Sequence, residues 1–132
     1  MIYLLDTNAV IALLTGEKWF RARLAAFLPA DFGVSAIVAH ELFCGAYGGK
    51  LSGKSLAQID ALCFEIVEFD QEDARRAGEI RATLAKSGAS IGPYDVLIAG
   101  QALSRSLTLI TNNVKEFALV ESLQFEDWQA AT

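Results

Sequence analysis

A chain of 132 residues, 53% hydrophobic and 20% charged, has the length and composition of one globular domain rather than of a disordered segment. Its net charge of −5 excludes a protein that holds nucleic acid by bulk charge, since that takes a basic face; such a substrate has to be gripped locally. The longest apolar runs fall well short of the roughly 20 residues of a membrane span. The first of them is cut by Asp6 where a signal peptide would stay apolar, so no membrane partner and a cytoplasmic location are expected.

The run Ile2-Tyr3-Leu4-Leu5 reads as a strand buried on both faces, and it ends in Asp6-Thr7-Asn8. Residues just past the carboxyl ends of strands line the ligand crevice of open α/β sheets. Asp6 stands at that lip. Thr7 or Asn8 is placed to cap a helix over 9–14, with Gly16 past its end. Taken alone, the triplet is equally well a helix cap and nothing more.

Residues 17–28 carry Trp19, Phe20, Leu24, Phe27 and Leu28 at near-helical spacing up to Pro29. Core packing is the expected role of Trp19 and Phe20, although either, if exposed, would make a contact site. Phe32-Gly33-Val34 reads as a second strand, and Ser35 as the cap of a helix over 36–46. On that helix Ile37, Glu41 and Gly45 share one face, which sets a carboxylate in an otherwise small or apolar stripe. His40, the single histidine, lies about 100° round the helix and reads as a packing or surface residue rather than a general base. Cys44 and Cys63 have apolar neighbours and no Cys-x-x-Cys spacing, so reduced core thiols are expected.

Residues 48–55, Gly-Gly-Lys-Leu-Ser-Gly-Lys-Ser, formally match the phosphate-binding P-loop pattern. That pattern needs a strand before it, and the residues before it read as a helix. A flexible inter-helix loop is the better reading. A helix over 55–64, a strand over 65–69 and a long helix over 71–87 stopped by Gly88 come next. Arg75, Arg76, Arg81 and Lys86 make the last of these the most basic element, and the local candidate for phosphate contacts. Gly92-Pro93-Tyr94-Asp95 then turns into an apolar helix through Leu103, where Pro93 suits the first turn and the helix dipole favours Asp95. A fourth strand over 107–111 ends in Thr111, Asn112 and Asn113 before Lys115-Glu116-Phe117, and 123–125 form a short edge strand. Strands alternating with helices predict an α/β fold of three layers, with a central, mostly parallel sheet of four to five strands, as a single domain over 1–132.

Asp6, Glu41, Asp95 and the Thr111–Glu116 stretch therefore fall where such a fold puts its crevice. Two carboxylates about 4 Å apart repel by roughly 4 kcal/mol at an effective dielectric near 20. A cluster of three needs a cation. Oxygen donors without a His/Cys set select Mg²⁺ or Mn²⁺, which supports phosphodiester hydrolysis.

Leu4-Leu5-Asp6-Thr7-Asn8, Ser35-Ala36-Ile37 with Glu41-Leu42 and Gly45-Ala46, Gly92-Pro93-Tyr94-Asp95 with Ile98-Ala99, and Thr111-Asn112-Asn113 with Glu116-Phe117 resemble the motifs of PIN-domain ribonucleases. More narrowly, they resemble those of VapC-type toxins, and the likeness runs in order to Glu126-Asp127-Trp128. The resemblance implies an α/β/α nuclease that uses Mg²⁺ or Mn²⁺ to cleave single-stranded RNA or tRNA loops, arresting translation and growth. It implies Asp6 and Asp95 as metal ligands and Glu41 as the third acid, with Thr7, Asn8 and Thr111 positioning substrate. Many relatives carry an acid where this chain has Asn113, so either Asn113 or Glu116 completes the set. A homodimer, a small antitoxin protein and operator DNA reached only through that antitoxin are the implied partners. The rival readings are a P-loop or haloacid-dehalogenase-like phosphohydrolase, the latter weakened by Asn8 where a second Asp is needed, and a catalytically silent binding module.

Overall fold

Tyr3, Leu4 and Leu5 are buried together and form β1 (Tyr3–Leu5), the middle strand of the sheet. The computed structural model describes residues 1–49 and 55–129. After β1 come α1 (Thr7–Leu14), α2 (Lys18–Leu24), β2 (Phe32–Ser35), α3 (Ala36–Tyr47), α4 (Ser55–Asp60), β3 (Glu65–Val67), α5 (Gln71–Lys86), α6 (Pro93–Ser104), β4 (Thr108–Ile110), α7 (Val114–Phe117) and β5 (Phe125–Glu126).

The five strands are ordered β3-β2-β1-β4-β5, and every pair is parallel. The chain steps outward from β1 through β2 to β3, then returns across β1 to lay down β4 and β5. The order therefore reverses between β1 and β4, where such sheets open their crevice. Leu5 pairs with Val34 on one side and Ile110 on the other, so Asp6, Ser35 and Thr111 leave the sheet level with one another. This matches the α/β/α fold expected from the sequence.

Helix ends follow local chemistry. Asp6 itself caps α1, its carboxylate accepting from the Ala9 N–H at 2.8 Å, so the expected cap at Thr7 or Asn8 shifts by one residue. Ser35 caps α3 as expected. Gly16 and Gly88 both take the left-handed backbone, at φ 76° and 72°, that ends a helix without strain at glycine. The P-loop candidate lies mostly outside the described residues, and what precedes it is α3 rather than a strand. Among the described residues no helix is long and apolar enough to cross a membrane.

Two expectations are corrected. The helix over 17–28 stops at Leu24, because the chain bends through 25–27 to bring Phe27 onto Tyr3, Phe32 and Trp128, with ring centroids 5.1 to 5.9 Å apart. Phe20 is fully buried in that aromatic cluster and Trp19 is partly buried with its edge on Phe20, the core packing expected of them. Both thiols are free as expected but exposed: Cys44 faces out of α3, and Cys63 sits in the loop before β3.

Packing between α5 and α6 is close enough to exclude a side chain at Gly100. A methyl there would meet the Ala77 backbone N and Cα at 2.6 and 2.7 Å. Backbone cannot give way as a side-chain tip can, so Gly100→Ala should destabilise the fold by about 1–3 kcal/mol. Chemical denaturation reads this as a lower midpoint at unchanged slope.

Candidate active site

The acids named in the sequence come from four elements and converge at the carboxyl edge of the sheet. Asp6, 6% exposed, follows β1 directly. Glu41 arrives half-buried from the middle of α3, accepting a 3.0 Å hydrogen bond from the Thr7 hydroxyl. Asp95 is the third residue of α6, brought there by the Gly92-Pro93 entry. Glu116 stands on α7 and accepts from the Asn113 side-chain amide at 2.5 Å and from the Gly92 N–H at 3.2 Å. Thr111 ties the set together, since its hydroxyl bonds to Asp6 and also accepts from the Asn113 N–H at 2.9 Å.

Electrostatics shows that these carboxyls form one system. Burial pushes the Asp6 carboxyl up, and the nearby Glu41 charge adds to it, against hydrogen bonds from Thr111 and Ala9. Asp95 is pushed up to about 7, first by burial, then by its hydrogen bond to Glu116 and by the charges of Glu116, Glu41 and Asp6. Glu116 moves the opposite way, held down by the hydrogen bond from Asp95 and then by Asn113. Below about pH 7 a proton thus favours Asp95 and faces an ionised Glu116. Like charges meeting in this way mark a site that favours a cation.

A search of known proteins puts these residues in a family. The family model described as PIN domain matches residues 3–122. The chain belongs to the PIN-domain family. It is 33% identical to the tRNA(fMet)-specific endonuclease VapC of Salmonella typhimurium, covering 96% of this chain and 97% of that one. It is 36% identical to Ribonuclease VapC1 of Haemophilus influenzae, covering 97% and 98% of the two chains. The crystal structure of DNA-bound VapBC from Salmonella typhimurium superposes with a TM-score of 0.89 at 33% identity, over 97% of this chain and 98% of that chain. VapBC-1 from nontypeable Haemophilus influenzae superposes at 0.86 and 36% identity, over 98% and 99%. This chain is thus a VapC-type ribonuclease of the PIN-domain family. The phosphohydrolase and P-loop readings are not favoured.

In this PIN domain Asn113 and Glu116, alternatives in the sequence, are bonded to each other, and Glu116 is hydrogen-bonded in turn to Asp95. His40 is at the surface, as expected. Sequence reasoning passed over two groups. The Gly92 N–H anchors Glu116, and Asn112 accepts from Asn8 at 3.3 Å while donating to Gln129 at 3.2 Å. Asn112 was visible only as part of a polar run, because its partners stand far from it in sequence. Of the basic residues on α5, Arg76 pairs with Glu79 at 3.0 Å and Arg75 lies 3.9 Å from Glu72. Arg81 instead lines a groove of about 350 Å³ with Pro93 and Val96 at the start of α6.

Among the described residues the Thr7 hydroxyl is the side chain that donates a hydrogen bond to Glu41. Thr7→Val keeps the shape and removes the donor, so RNA cleavage should fall about tenfold with the melting temperature nearly unchanged. Steady-state kinetics beside a thermal melt checks both.

Proposed function

We propose that this VapC-type PIN domain is a Mg²⁺- or Mn²⁺-dependent endoribonuclease. It cuts RNA, tRNA included, to arrest translation and growth until a small antitoxin protein neutralises it. The observation that carries this reading is the coupling of Asp6, Glu41, Asp95 and Glu116 at the strand-order reversal. The names of its relatives, a tRNA-specific endonuclease and ribonucleases, support the substrate class. VapBC complexes among the structural neighbours support the antitoxin, and the DNA-bound one supports operator DNA reached through it. A homodimer is part of the same proposal.

The donor set fits a hard divalent ion, since every group in it is an oxygen donor and the charges collect without a neutralising side chain. Among the described residues no three acids, histidines or cysteines stand close enough to enclose an ion together. Mg²⁺ asks less than that, because it keeps several waters and takes one or two carboxylates. Asp6 and Asp95 would supply those two. When bound, the ion lowers the pKa of a water and stabilises charge on a phosphoryl oxygen. Glu116, held below its ordinary value by Asp95 and Asn113, would be the group suited to accept a proton from an attacking water. Thr7 orients Glu41, and Thr111 orients Asp6. Arg81, beside the start of α6, is the α5 cation placed to meet a phosphate.

Sequencing of RNA 5′ ends after brief induction tests this directly. Wild type should generate discrete new ends that Asp6→Ala does not. The same ends from the Asp6→Ala chain would overturn the proposal. Purified protein should also lose cleavage in EDTA and regain it with Mg²⁺ or Mn²⁺; full activity in EDTA would refute the metal.

A further inference from the structure

Two rings stand at the rim of the acidic set, each next in sequence to one of its acids: His40 before Glu41 and Tyr94 before Asp95. They come from α3 and α6 and meet at a centroid distance of 5.3 Å, with their planes at 61°. Neither belongs to the buried core. Tyr94 leaves 47% of its surface exposed, and His40 is exposed as well. An exposed aromatic pair bridging the two helices that carry Glu41 and Asp95 therefore has ring surface to offer a ligand at the crevice.

Arg81 aside, charge gives such a crevice little with which to hold a polyanion. The chain carries −5 overall, its site gathers carboxylates, and Arg75 and Arg76 face acids on their own helix. Phosphates near Asp6 and Glu41 are repelled until a cation intervenes. Stacking has no such difficulty, because every base presents a π-face, and unpaired RNA bases are commonly taken up on Tyr and His rings.

We propose that His40 and Tyr94 form a base-stacking platform that seats an unpaired base of single-stranded RNA beside the acidic set. The inference rests on the ribonuclease reading and adds the means by which substrate is gripped. The platform selects unpaired over duplex RNA, because a stacked base must first leave its helix.

The test measures anisotropy of a fluorescein-labelled single-stranded RNA on the full chain in EDTA, so that binding is read without cleavage. Tyr94→Ala should weaken binding about tenfold, within the range for a lost base–aromatic stack. Tyr94→Phe and Tyr94→Trp should bind as wild type. The slope of log K against log salt should be the same for wild type and Tyr94→Ala, since no phosphate contact is removed. A labelled duplex of the same sequence should bind more weakly and be indifferent to the substitution. With Mg²⁺ present, Tyr94→Ala and His40→Ala should raise KM with kcat little changed. Leu28→Ala, an exposed apolar residue ahead of the opposite, amino-terminal edge of the sheet, serves as the control. Equal binding by Tyr94→Ala and wild type overturns the platform, as does a Phe variant as weak as the Ala variant. Should wild type bind through Tyr94 yet cleave nothing with Mg²⁺ or Mn²⁺, the platform stands and the ribonuclease reading falls.

Discussion

Metal-free Asp95→Asn at pH 8 should melt about 3–10 °C above wild type, while its RNA cleavage with Mg²⁺ present should fall by on the order of a hundredfold or more. The two effects share one cause. The Asp95 carboxyl has an ordinary value of 3.8 and is pushed up to about 7 in the folded protein by burial and by Glu116, Glu41 and Asp6. Between those values the folded protein holds a proton that the unfolded chain has released. Stability therefore falls as pH rises through that window. A shift of this size on a fully buried group would be worth about 4 kcal/mol. Asp95 is only partly buried, and solvent screening brings the figure to about 1–2 kcal/mol. Asparagine cannot ionise and still offers an N–H to Glu116, so it escapes the loss. It also lacks the charge a cation needs. Melts in EDTA at pH 5 and pH 8 check the stability part: the gap should be clearly smaller at the lower pH, where the window has only begun to open, than at the higher. A gap of equal size at both would contradict it.

Asp73→Ala should cost about 3 kcal/mol of folding stability, the low end for breaking a buried ion pair. The Asp73 side chain is 1% exposed and lies on α5 against α6. It accepts from Arg105 Nε and Nη2 at 3.2 and 3.0 Å, from Gln101 at 3.3 Å, from the Ser104 hydroxyl, and from the Asp70 N–H at 2.9 Å. Removing it takes one acceptor from the buried Gln101 amide, which keeps the Val67 and Glu68 carbonyls. The low end applies because the Arg105 side chain keeps 32% of its surface in solvent. Burial alone would raise the Asp73 carboxyl, but the hydrogen bonds from Arg105, Ser104 and the Asp70 N–H outweigh it and hold it below its ordinary 3.8. Here the unfolded chain binds the extra proton, so this stability is present above 3.8 and is lost as pH falls through the folded value. Asp73 and Asp95 thus tilt the pH profile in opposite directions. Acid denaturation should set in at higher pH for Asp73→Ala than for wild type, and an unchanged onset would refute the assignment.

Legibility in the sequence tracks how local the determinant is. Asp6 after an apolar run, Ser35 before a helix, Gly88 past one and Pro93 inside one are read from neighbours within a few residues. The acids at 6, 41 and 95 could be gathered because strand ends point to one crevice whatever the details of packing. What the sequence hid depends on long-range partners. Asp73 and Arg105 are 32 residues apart, and nothing in either neighbourhood announces the pair. The strand expected over 65–69 ends at Val67 because the Glu68 carbonyl accepts from Gln101 and Arg105. The helix over 17–28 gave the right periodicity and the wrong end, since Phe27 is claimed by rings on β1 and β2. Asn113 and Glu116 looked like competitors for one role until the turn into α7 set their side chains against each other.

The central claim is that Asp6, Glu41, Asp95 and Glu116 act as one set around a shared divalent ion. Mn²⁺ titrated into ¹³C-carboxyl-labelled protein tests it most directly, because paramagnetic broadening reports which carboxyls lie beside the ion. The signals of Asp6 and Asp95 should broaden first, with Glu41 and Glu116 next, and Asp95→Asn should weaken the effect on all of them. Broadening centred on acids outside this set, or Asp6 and Asp95 responding at separate Mn²⁺ affinities, would contradict the account.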